Sequence, residues 1–175
     1  MKLKSSQCGV LITGPHSLSS NSYHNPVQQI TYVLRYNLHI NTELQEKYTT
    51  IAKDYSKTIA LLNTAYVRFY LKHIPSNTIE LLDVGCGSGD MLLALSRKLK
   101  GISFYGIDPI QTFVDLAKEK LPDSTILKAS VEKLPFEDCS FGFILSHVVF
   151  QHVDRQKALL EIKRVLKPHG RIVLT

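Results

Sequence analysis

The 175-residue sequence lacks any long apolar run. A helix needs about 20 consecutive apolar residues to cross a bilayer, so we expect no membrane span. Lys2 and Lys4 lie near the N-terminus, but no long apolar stretch follows them, so no secretory signal is recognised. These absences predict a cytoplasmic protein.

Cysteines are few, and their number is odd. Cys8, Cys86 and Cys139 lie far apart and form no C-x-x-C pair, which argues against a disulfide framework and against a cysteine-based metal site. The two closest histidines, His147 and His152, are five residues apart. That spacing does not put two ligands on one helical face, so the sequence predicts no metal site.

Acidic residues are scarce in the first part of the chain. Residues 1–78 hold eight Lys/Arg against three Asp/Glu, so +5 of the formal net charge of +6 lies there. Such an excess could contact nucleic acid or another anionic surface. The charges are dispersed and form no run, so we favour a solvated surface, and a nucleic-acid partner is not favoured.

The chain divides into three segments by composition. Residues 1–41 read as an N-terminal extension that is partly loop, in which Ile30–Ile40 alternates like a strand although Asn25-Pro26 is typical of a helix start. Both alternatives stay open. Residues 42–78 carry apolar residues at spacings of three and four, which predicts a helical lead-in segment.

From residue 79 onwards, short apolar strands alternate with helices. We predict strands at Ile79–Val84, Ser103–Ile107, Thr125–Lys128, Phe141–Ser146 and Arg171–Thr175, and helices at Asp90–Leu99, Gln111–Lys120 and Asp154–Leu166. Strands that alternate with helices over short links pair in parallel through right-handed crossovers. The predicted class is therefore α/β, with a doubly wound and mostly parallel sheet.

A glycine-rich loop follows the first of these strands. The segment Leu81–Asp90, LLDVGCGSGD, runs from a strand through three glycines into a helix. Glycines there allow a tight turn and a close approach of the backbone to a ligand. Asp108 ends the next strand, where a carboxylate can accept both ribose hydroxyls of a nucleoside. The alternatives are a tight turn without a ligand and a turn-forming aspartate before Pro109.

The loop pattern also bears on the kind of nucleoside. It reads G-x-G-x-G and not the G-x-G-x-x-G of pyrophosphate-binding loops, and no P-loop motif occurs. The acids Asp83 and Asp90 flank it. Acids in these positions favour a ligand without phosphates that carries a cationic amine or sulfonium, so NAD is disfavoured.

With these motifs the sequence resembles the class I S-adenosylmethionine-dependent methyltransferases, and most closely the branch with the ubiquinone/menaquinone-biosynthesis methyltransferases. The resemblance covers roughly Glu46–Thr175. It is carried by Leu81–Gly89, Tyr105–Asp108, Ala129–Phe136, Ser140–Val153 and Leu160–Gly170.

The resemblance implies S-adenosyl-L-methionine as the cofactor and a set of residues that bind it. The methionine part would lie beside Asp83, Gly85, Cys86 and Gly87, the ribose at Asp108, the adenine near Pro109, Ile110, Ser130 and Val131, and the sulfonium near Ser146 and His147. Tyr48 and Tyr55 would belong to a lead-in helix over the cofactor. Ser130 stands where the family usually has Asp. Gly142 stands where the fourth strand of the family usually begins with Phe-Asp. A neutral serine hydroxyl accepts a weaker hydrogen bond than a carboxylate.

The function implied is methyl transfer to a small-molecule acceptor by in-line displacement. Alignment of acceptor and methyl group supplies much of the rate enhancement in such a reaction, and a base is needed only if the acceptor loses a proton. His147 and His152 are the candidates for that base, although both can be structural histidines. Two alternatives stay open: an RNA or protein methyltransferase, and a non-catalytic cofactor-binding or scaffold domain.

The family sheet has strand order 3-2-1-4-5-7-6, and here the fifth strand ends the sequence. We therefore expect the order 3-2-1-4-5 with the last two family strands missing, so that residues 79–175 form a C-terminally truncated cofactor-binding core. The fifth strand would be an exposed edge that favours dimerisation. Alternatively, Gly9–Thr13 and Ile30–Ile40 could cover that edge as a hairpin. Truncation is the favoured interpretation.

Overall fold

The computed structural model describes residues 30–31, 46–47, 50, 66–147, 149–150 and 152–175. In these residues, a parallel sheet carries helices on both faces. Helix α1 comprises residues 66–73. The other elements are β1 (Ile30–Thr31), β2 (Glu80–Val84), α2 (Asp90–Ser96), β3 (Ser103–Asp108), α3 (Gln111–Lys120), β4 (Thr125–Lys128), β5 (Phe141–Ser146), α4 (Arg155–Val165) and β6 (Leu166–Leu174).

The strand order is β1-β6-β5-β2-β3-β4. Strands β2 to β6 are the five predicted from the sequence, and their order is the predicted 3-2-1-4-5, so the fold class is confirmed. The chain runs outward from β2 to β4 and then returns to β5 on the other side of β2. The strand order therefore reverses between β2 and β5, and open α/β sheets bind their ligands at the carboxyl ends of the strands at such a point.

Strand β6 is not the bare edge that we expected. Residues Ile30 and Thr31 pair with Ile172 and Val173 in parallel, so β1 covers part of β6. Part of the Ile30–Ile40 segment thus lies on this edge, as the alternative interpretation had it, and its two described residues pair in parallel with β6. The rest of the proposed hairpin lies outside the described residues. Dimerisation through β6 stays a prediction. It assumed that β6 is an exposed edge, and at Ile172 and Val173 this edge is covered by β1.

The sheet separates two apolar layers because successive residues of a strand face opposite sides. Leu81 and Phe143 face a layer that includes residues of α1, α2 and α3. Leu82 and Ile144 face a second layer that includes residues of α4. Burial of both layers holds the strands in register and fixes the position of their carboxyl ends.

Two predicted boundaries are wrong by more than one residue, and both errors lie at irregular backbone. Helix α2 ends at Ser96 and not at Leu99, because its last turn tightens and the Lys98 amide donates to the carbonyl of Leu95. Strand β6 begins at Leu166 and not at Arg171. Its pairing with β5 shifts between Leu166 and Arg171, so the regular ladder resumes only where the strand was predicted to begin.

Some predictions for the N-terminal half lie outside the described residues. These are the greater part of segment 1–41, which includes Gly9–Thr13, and the two tyrosines of the lead-in segment, Tyr48 and Tyr55. Residues 46–47, 50 and 66–73 are helical, as the helical periodicity predicts.

Arg164 on α4 ties the segment between β4 and β5 to the helix. Its guanidinium donates to the carboxylates of Glu161 and Asp138, and to the carbonyls of Leu134 and Phe136, over 2.7–3.0 Å. Glu161 in turn accepts a hydrogen bond from the Leu134 amide. Five planar donors serve four acceptor groups at once, which no other side chain can do.

We expect Arg164→Ala to lower the free energy of unfolding by about 2–3 kcal/mol, because hydrogen bonds to charged groups contribute about 1.5–3 kcal/mol each and solvent screens part of this network. Urea denaturation measures the effect. Lys163→Ala is the matched control, since Lys163 is exposed on the same helix. Equal losses in the two variants would contradict the role of Arg164.

Candidate cofactor site at the strand ends

Three glycines shape the loop that joins β2 to α2. Gly85, Gly87 and Gly89 have φ angles of 76°, 52° and 78°, in the left-handed region that favours glycine. A Cβ atom at Gly85 would overlap the Cγ2 methyl of Val149, whereas a Cβ at Gly87 would meet no atom of the described residues within 4 Å. The loop therefore has packed ends and open space at its centre.

Hydrogen bonds hold this loop against the end of β3. The amides of Gly85 and Cys86 both donate to the carbonyl of Ile107, at 2.8 and 2.9 Å. The Gly87 amide donates to Oδ2 of Asp108 at 3.0 Å. The glycine loop and Asp108 thus form one unit, although 21 residues separate Gly87 from Asp108.

Asp108 is buried, with two backbone partners. Its Oδ1 accepts from the Ile110 amide at 2.9 Å, and its Oδ2 accepts from Gly87. Each carboxylate oxygen has two lone pairs, so each retains one for a ligand. Burial raises the pKa of Asp108 from 3.8 to about 6, although the two backbone hydrogen bonds counteract part of the rise. At neutral pH the group is a carboxylate that can accept two hydroxyl groups.

Asp83 is more deeply buried, on β2 beside β3. Its exposed fraction is 2%, and its Oδ1 has no hydrogen-bond partner among the described residues. Burial raises its pKa well above the ordinary value, and the negative charge of Asp108 raises it further. A buried carboxyl group with an unused oxygen is costly unless a cation or a donor meets it.

The other acid that flanks the loop does not have the role that we predicted. Asp90 accepts hydrogen bonds from Lys120 and Ser88, at 2.7 and 2.6 Å. Its charge is therefore already neutralised by a lysine of α3. Only Asp83 remains as the loop acid that can attract a cationic ligand.

The remaining predicted adenine contacts lie next to Asp108. The Ala129 amide donates to the Asp108 carbonyl, which brings the segment after β4 to this strand end. Ser130 is exposed, and its hydroxyl accepts from the Glu132 amide at 3.2 Å. Val131 and Ile110 are buried, at 3% and 7% exposure, and Pro109 lies between Asp108 and Ile110.

Cys86 contributes its backbone to the loop, while its side chain faces the core. A Cβ atom at Gly106 would lie 2.9 Å from the Cys86 sulfur, so the thiol fills the space beside that glycine. Burial raises the pKa of the thiol. The group is therefore a packed thiol and not a nucleophile.

The end of β5 carries the predicted sulfonium and base residues. The Ser146 hydroxyl donates to the Val84 carbonyl at 2.9 Å, which joins β5 to β2 just before the glycine loop. His147 Nδ1 lies 2.6 Å from the hydroxyl of Thr175, and burial lowers the pKa of the ring. His152 is buried, and its amide donates to the Val149 carbonyl.

The raised pKa of Asp83 implies that the free energy of unfolding depends on pH. Its pKa is raised in the folded protein, so the native state keeps this proton to higher pH than the unfolded chain does. The resulting stability is present below about pH 4 and is lost as the pH rises. Asp108 acts in the same direction between about pH 4 and pH 6.

We therefore expect Asp83→Asn to be close to neutral near pH 4 and to stabilise the protein near pH 8, because the amide cannot ionise. Chemical denaturation at both pH values measures the difference. Asp115→Asn on the exposed face of α3 is the control and should change little at either pH. A constant effect of Asp83→Asn across this range would contradict the ionisation of a buried carboxyl.

Among the described residues, no group of three or more His, Cys, Asp or Glu side chains could hold a metal ion. Nor does any helix there have the length and apolar character that a membrane span requires.

Comparison with known proteins agrees with this geometry. Residues 82–174 match the family model of the methyltransferase domain. The ubiquinone/menaquinone biosynthesis C-methyltransferase UbiE of Campylobacter jejuni is 35% identical over 102 residues, which cover 55% of this chain and 43% of that protein. The chain thus spans less than half the length of this relative.

Two solved structures have a similar fold. The YcgJ protein of Bacillus subtilis is 28% identical with a TM-score of 0.56, over 62% of this chain and 48% of that one. The geranyl diphosphate C-methyltransferase of Streptomyces coelicolor, solved with S-adenosyl-L-homocysteine, is 20% identical with a TM-score of 0.59, over 63% and 42%. The match to the family model extends from β2 to the end of β6, and it includes the glycine loop, Asp108 and the reversal of strand order. The chain therefore belongs to the methyltransferase-domain family of class I S-adenosylmethionine-dependent enzymes.

Proposed function

We propose that this protein binds S-adenosylmethionine at the carboxyl ends of β2 and β3 and transfers its methyl group to a small-molecule acceptor. The observation that carries the proposal is the combination of two buried carboxyl groups, Asp83 and Asp108, with a loop that leaves open space at Gly87. Oδ1 of Asp83, which has no hydrogen-bond partner within the described part of the chain, fits a ligand that brings positive charge. A dinucleotide would instead bring phosphate charges towards these acids.

Each acid would meet a different part of the cofactor. Asp108 would accept the two ribose hydroxyls with the lone pairs that Gly87 and Ile110 leave unused. Asp83 would attract the cationic methionine end, together with the backbone of residues 85–87. The buried side chains of Ile110 and Val131 would border the adenine. Ser130 would accept from the adenine amino group more weakly than a carboxylate does.

The cofactor supplies an electrophilic methyl group when it is bound. The chain itself contributes alignment, since the Ser146 bond to β2 holds the end of β5 against the cofactor strand. Ser146 and His147 would lie on the side of the methyl group. We place the acceptor between this strand end and α1, because His147 contacts the ring of Tyr66 there, at 4.3 Å between ring centroids. His152 remains a second candidate beside the acceptor.

Small molecules are the favoured acceptor class. The relative UbiE is a C-methyltransferase of ubiquinone and menaquinone biosynthesis, and these quinones are small molecules. A cytoplasmic location and the assignment of residues 79–175 as the cofactor-binding core are part of this proposal.

Isothermal titration with S-adenosylhomocysteine tests cofactor binding directly. We expect a saturable signal at micromolar ligand with one site per chain. Absence of heat up to millimolar ligand would contradict the proposal and favour a scaffold domain.

A labelling experiment tests the acceptor class. The protein is incubated with methyl-labelled S-adenosylmethionine and cell extract, which is then separated into small-molecule, protein and RNA fractions. We expect enzyme-dependent label in the small-molecule fraction. Label in the protein or RNA fraction would instead support the macromolecular alternatives. Asp108→Ala serves as the control for background labelling.

A further inference from the structure

A hydrogen-bonded chain of three side chains lies at the ends of β5 and β6. The Tyr70 hydroxyl on α1 lies 2.7 Å from Oγ1 of Thr175, and His147 Nδ1 lies 2.6 Å from the same oxygen. Three separate elements therefore meet at one hydroxyl group. The donor atom in each of these two bonds determines which nitrogen of His147 carries the proton.

Tyr70 determines the direction of the first bond. Its side chain is fully buried within the core layer of α1, and Thr175 Oγ1 is the acceptor that the described residues offer to its hydroxyl hydrogen. A buried O–H group without an acceptor costs about 1–3 kcal/mol. Tyr70 therefore donates to Thr175.

Thr175 must then place its own hydroxyl hydrogen. A hydroxyl group has one hydrogen, and the nitrogen 2.6 Å away is Nδ1 of His147. If Nδ1 donated instead, Thr175 would accept twice and its hydrogen would have no acceptor among the described residues. If Thr175 donated to Tyr70, the buried phenol would lose its acceptor. One arrangement gives every hydrogen a partner among these three side chains: Tyr70 donates to Thr175, and Thr175 donates to His147.

We propose that Tyr70 and Thr175 are positioning residues that hold His147 as the neutral tautomer with its proton on Nε2, so that the ring donates a hydrogen bond to a lone pair of the methyl acceptor. The identity of this hydrogen-bond partner as the methyl acceptor rests on the proposed function, whereas the tautomer of His147 does not. Burial of the ring favours its neutral form. The ring of Tyr66 packs against it at an angle of 59° and restricts its rotation.

This assignment narrows the acceptor class. A ring with its proton on Nε2 stabilises an acceptor oxygen that bears a lone pair, such as a carbonyl, enolate or phenolate oxygen. It offers nothing to an ammonium group, which has only donors. It also removes His147 from the role of general base at Nε2, which the sequence suggested.

Long-range ¹H–¹⁵N correlation spectra of histidine-labelled protein test the tautomer directly. The spectra are recorded slightly above neutral pH, and the His147 signals are identified by their loss in His147→Gln. We expect an unprotonated Nδ1 and a protonated Nε2. The opposite pattern, or an even mixture of the two tautomers, would overturn the proposal.

Variants of the two positioning residues give the second readout. Thr175→Ser keeps the hydroxyl and should keep the wild-type pattern, whereas Thr175→Val and Tyr70→Phe should give a mixture of tautomers. Unchanged signals of His152 and His169 show that a variant is folded. A wild-type His147 pattern in folded Thr175→Val would contradict the proposal. If Thr175→Val and Tyr70→Phe do not fold, the wild-type and Thr175→Ser spectra decide it.

The spectra need neither cofactor nor acceptor. Failure of S-adenosylhomocysteine to bind would therefore contradict the proposed function and leave the tautomer assignment standing. Conversely, the wrong tautomer would overturn the role of Tyr70 and Thr175 without bearing on cofactor binding.

Discussion

Asp108→Ala is expected to lower the affinity for S-adenosylhomocysteine at least tenfold. Two hydrogen bonds from ribose hydroxyls to a carboxylate would be lost, each worth about 1.5–3 kcal/mol. The substitution also frees the Gly87 amide, which Asp108 holds in the loop. Titration calorimetry measures the affinity, and thermal unfolding shows whether the variant is folded.

Asp115→Ala is the matched control for this prediction. Asp115 is a carboxylate on the exposed face of α3, seven residues away in the chain, and its loss should leave the affinity unchanged. Wild-type affinity in folded Asp108→Ala would contradict the ribose assignment.

The affinity for S-adenosylhomocysteine should also depend on pH. It should fall about tenfold per unit below about pH 6, because protonation of Asp108 removes an acceptor of the ribose hydroxyls.

Gly85→Ala is expected to destabilise the protein by about 2–4 kcal/mol. A left-handed backbone costs a residue with a Cβ about 1–2 kcal/mol, and overpacking costs about 1–3 kcal/mol. Both apply here, because Gly85 has a φ angle of 76° and its added Cβ would overlap Val149. Chemical denaturation measures the loss.

The two costs can be separated with variants that the chain itself offers. Gly101 has a φ angle of 73° and open space where a Cβ would lie, so Gly101→Ala carries only the backbone cost. Truncation of the neighbour in Gly85→Ala/Val149→Ala should recover most of the steric cost. If Gly85→Ala costs no more than Gly101→Ala, the contact with Val149 does not constrain this position.

Sequence periodicity predicted most of the sheet because its strands are short, apolar and bounded by turns. The predicted bounds of α3, β4 and β5 coincide with those of the structure. Irregular backbone was not predictable in the same way. Strand β6 begins with a segment whose register is shifted, and His169 in that segment has a φ angle of 63°. No local pattern in the sequence predicts either feature.

The candidate site was predictable where its position follows from the topology alone. Asp83 and Asp108 lie at neighbouring strand ends, so their proximity follows from parallel pairing. The side-chain partners do not follow from it. Lys120 neutralises Asp90 across 30 residues, and Thr175 reaches His147 across 28. Such contacts depend on the angle at which helices and strands pack, which spacing in the sequence does not encode.

The pairing of β1 with β6 has a consequence for the order in which the chain folds. Ile30 and Ile172 are neighbours in the sheet but lie more than 140 residues apart in the sequence. During synthesis, β6, the partner of β1, emerges from the ribosome only after β2 to β5. The pairing of only two residues in β1 also offsets little of the entropy that is lost when so long a loop closes. Docking of β1 is therefore a late folding event, and β2 to β5 assemble before it.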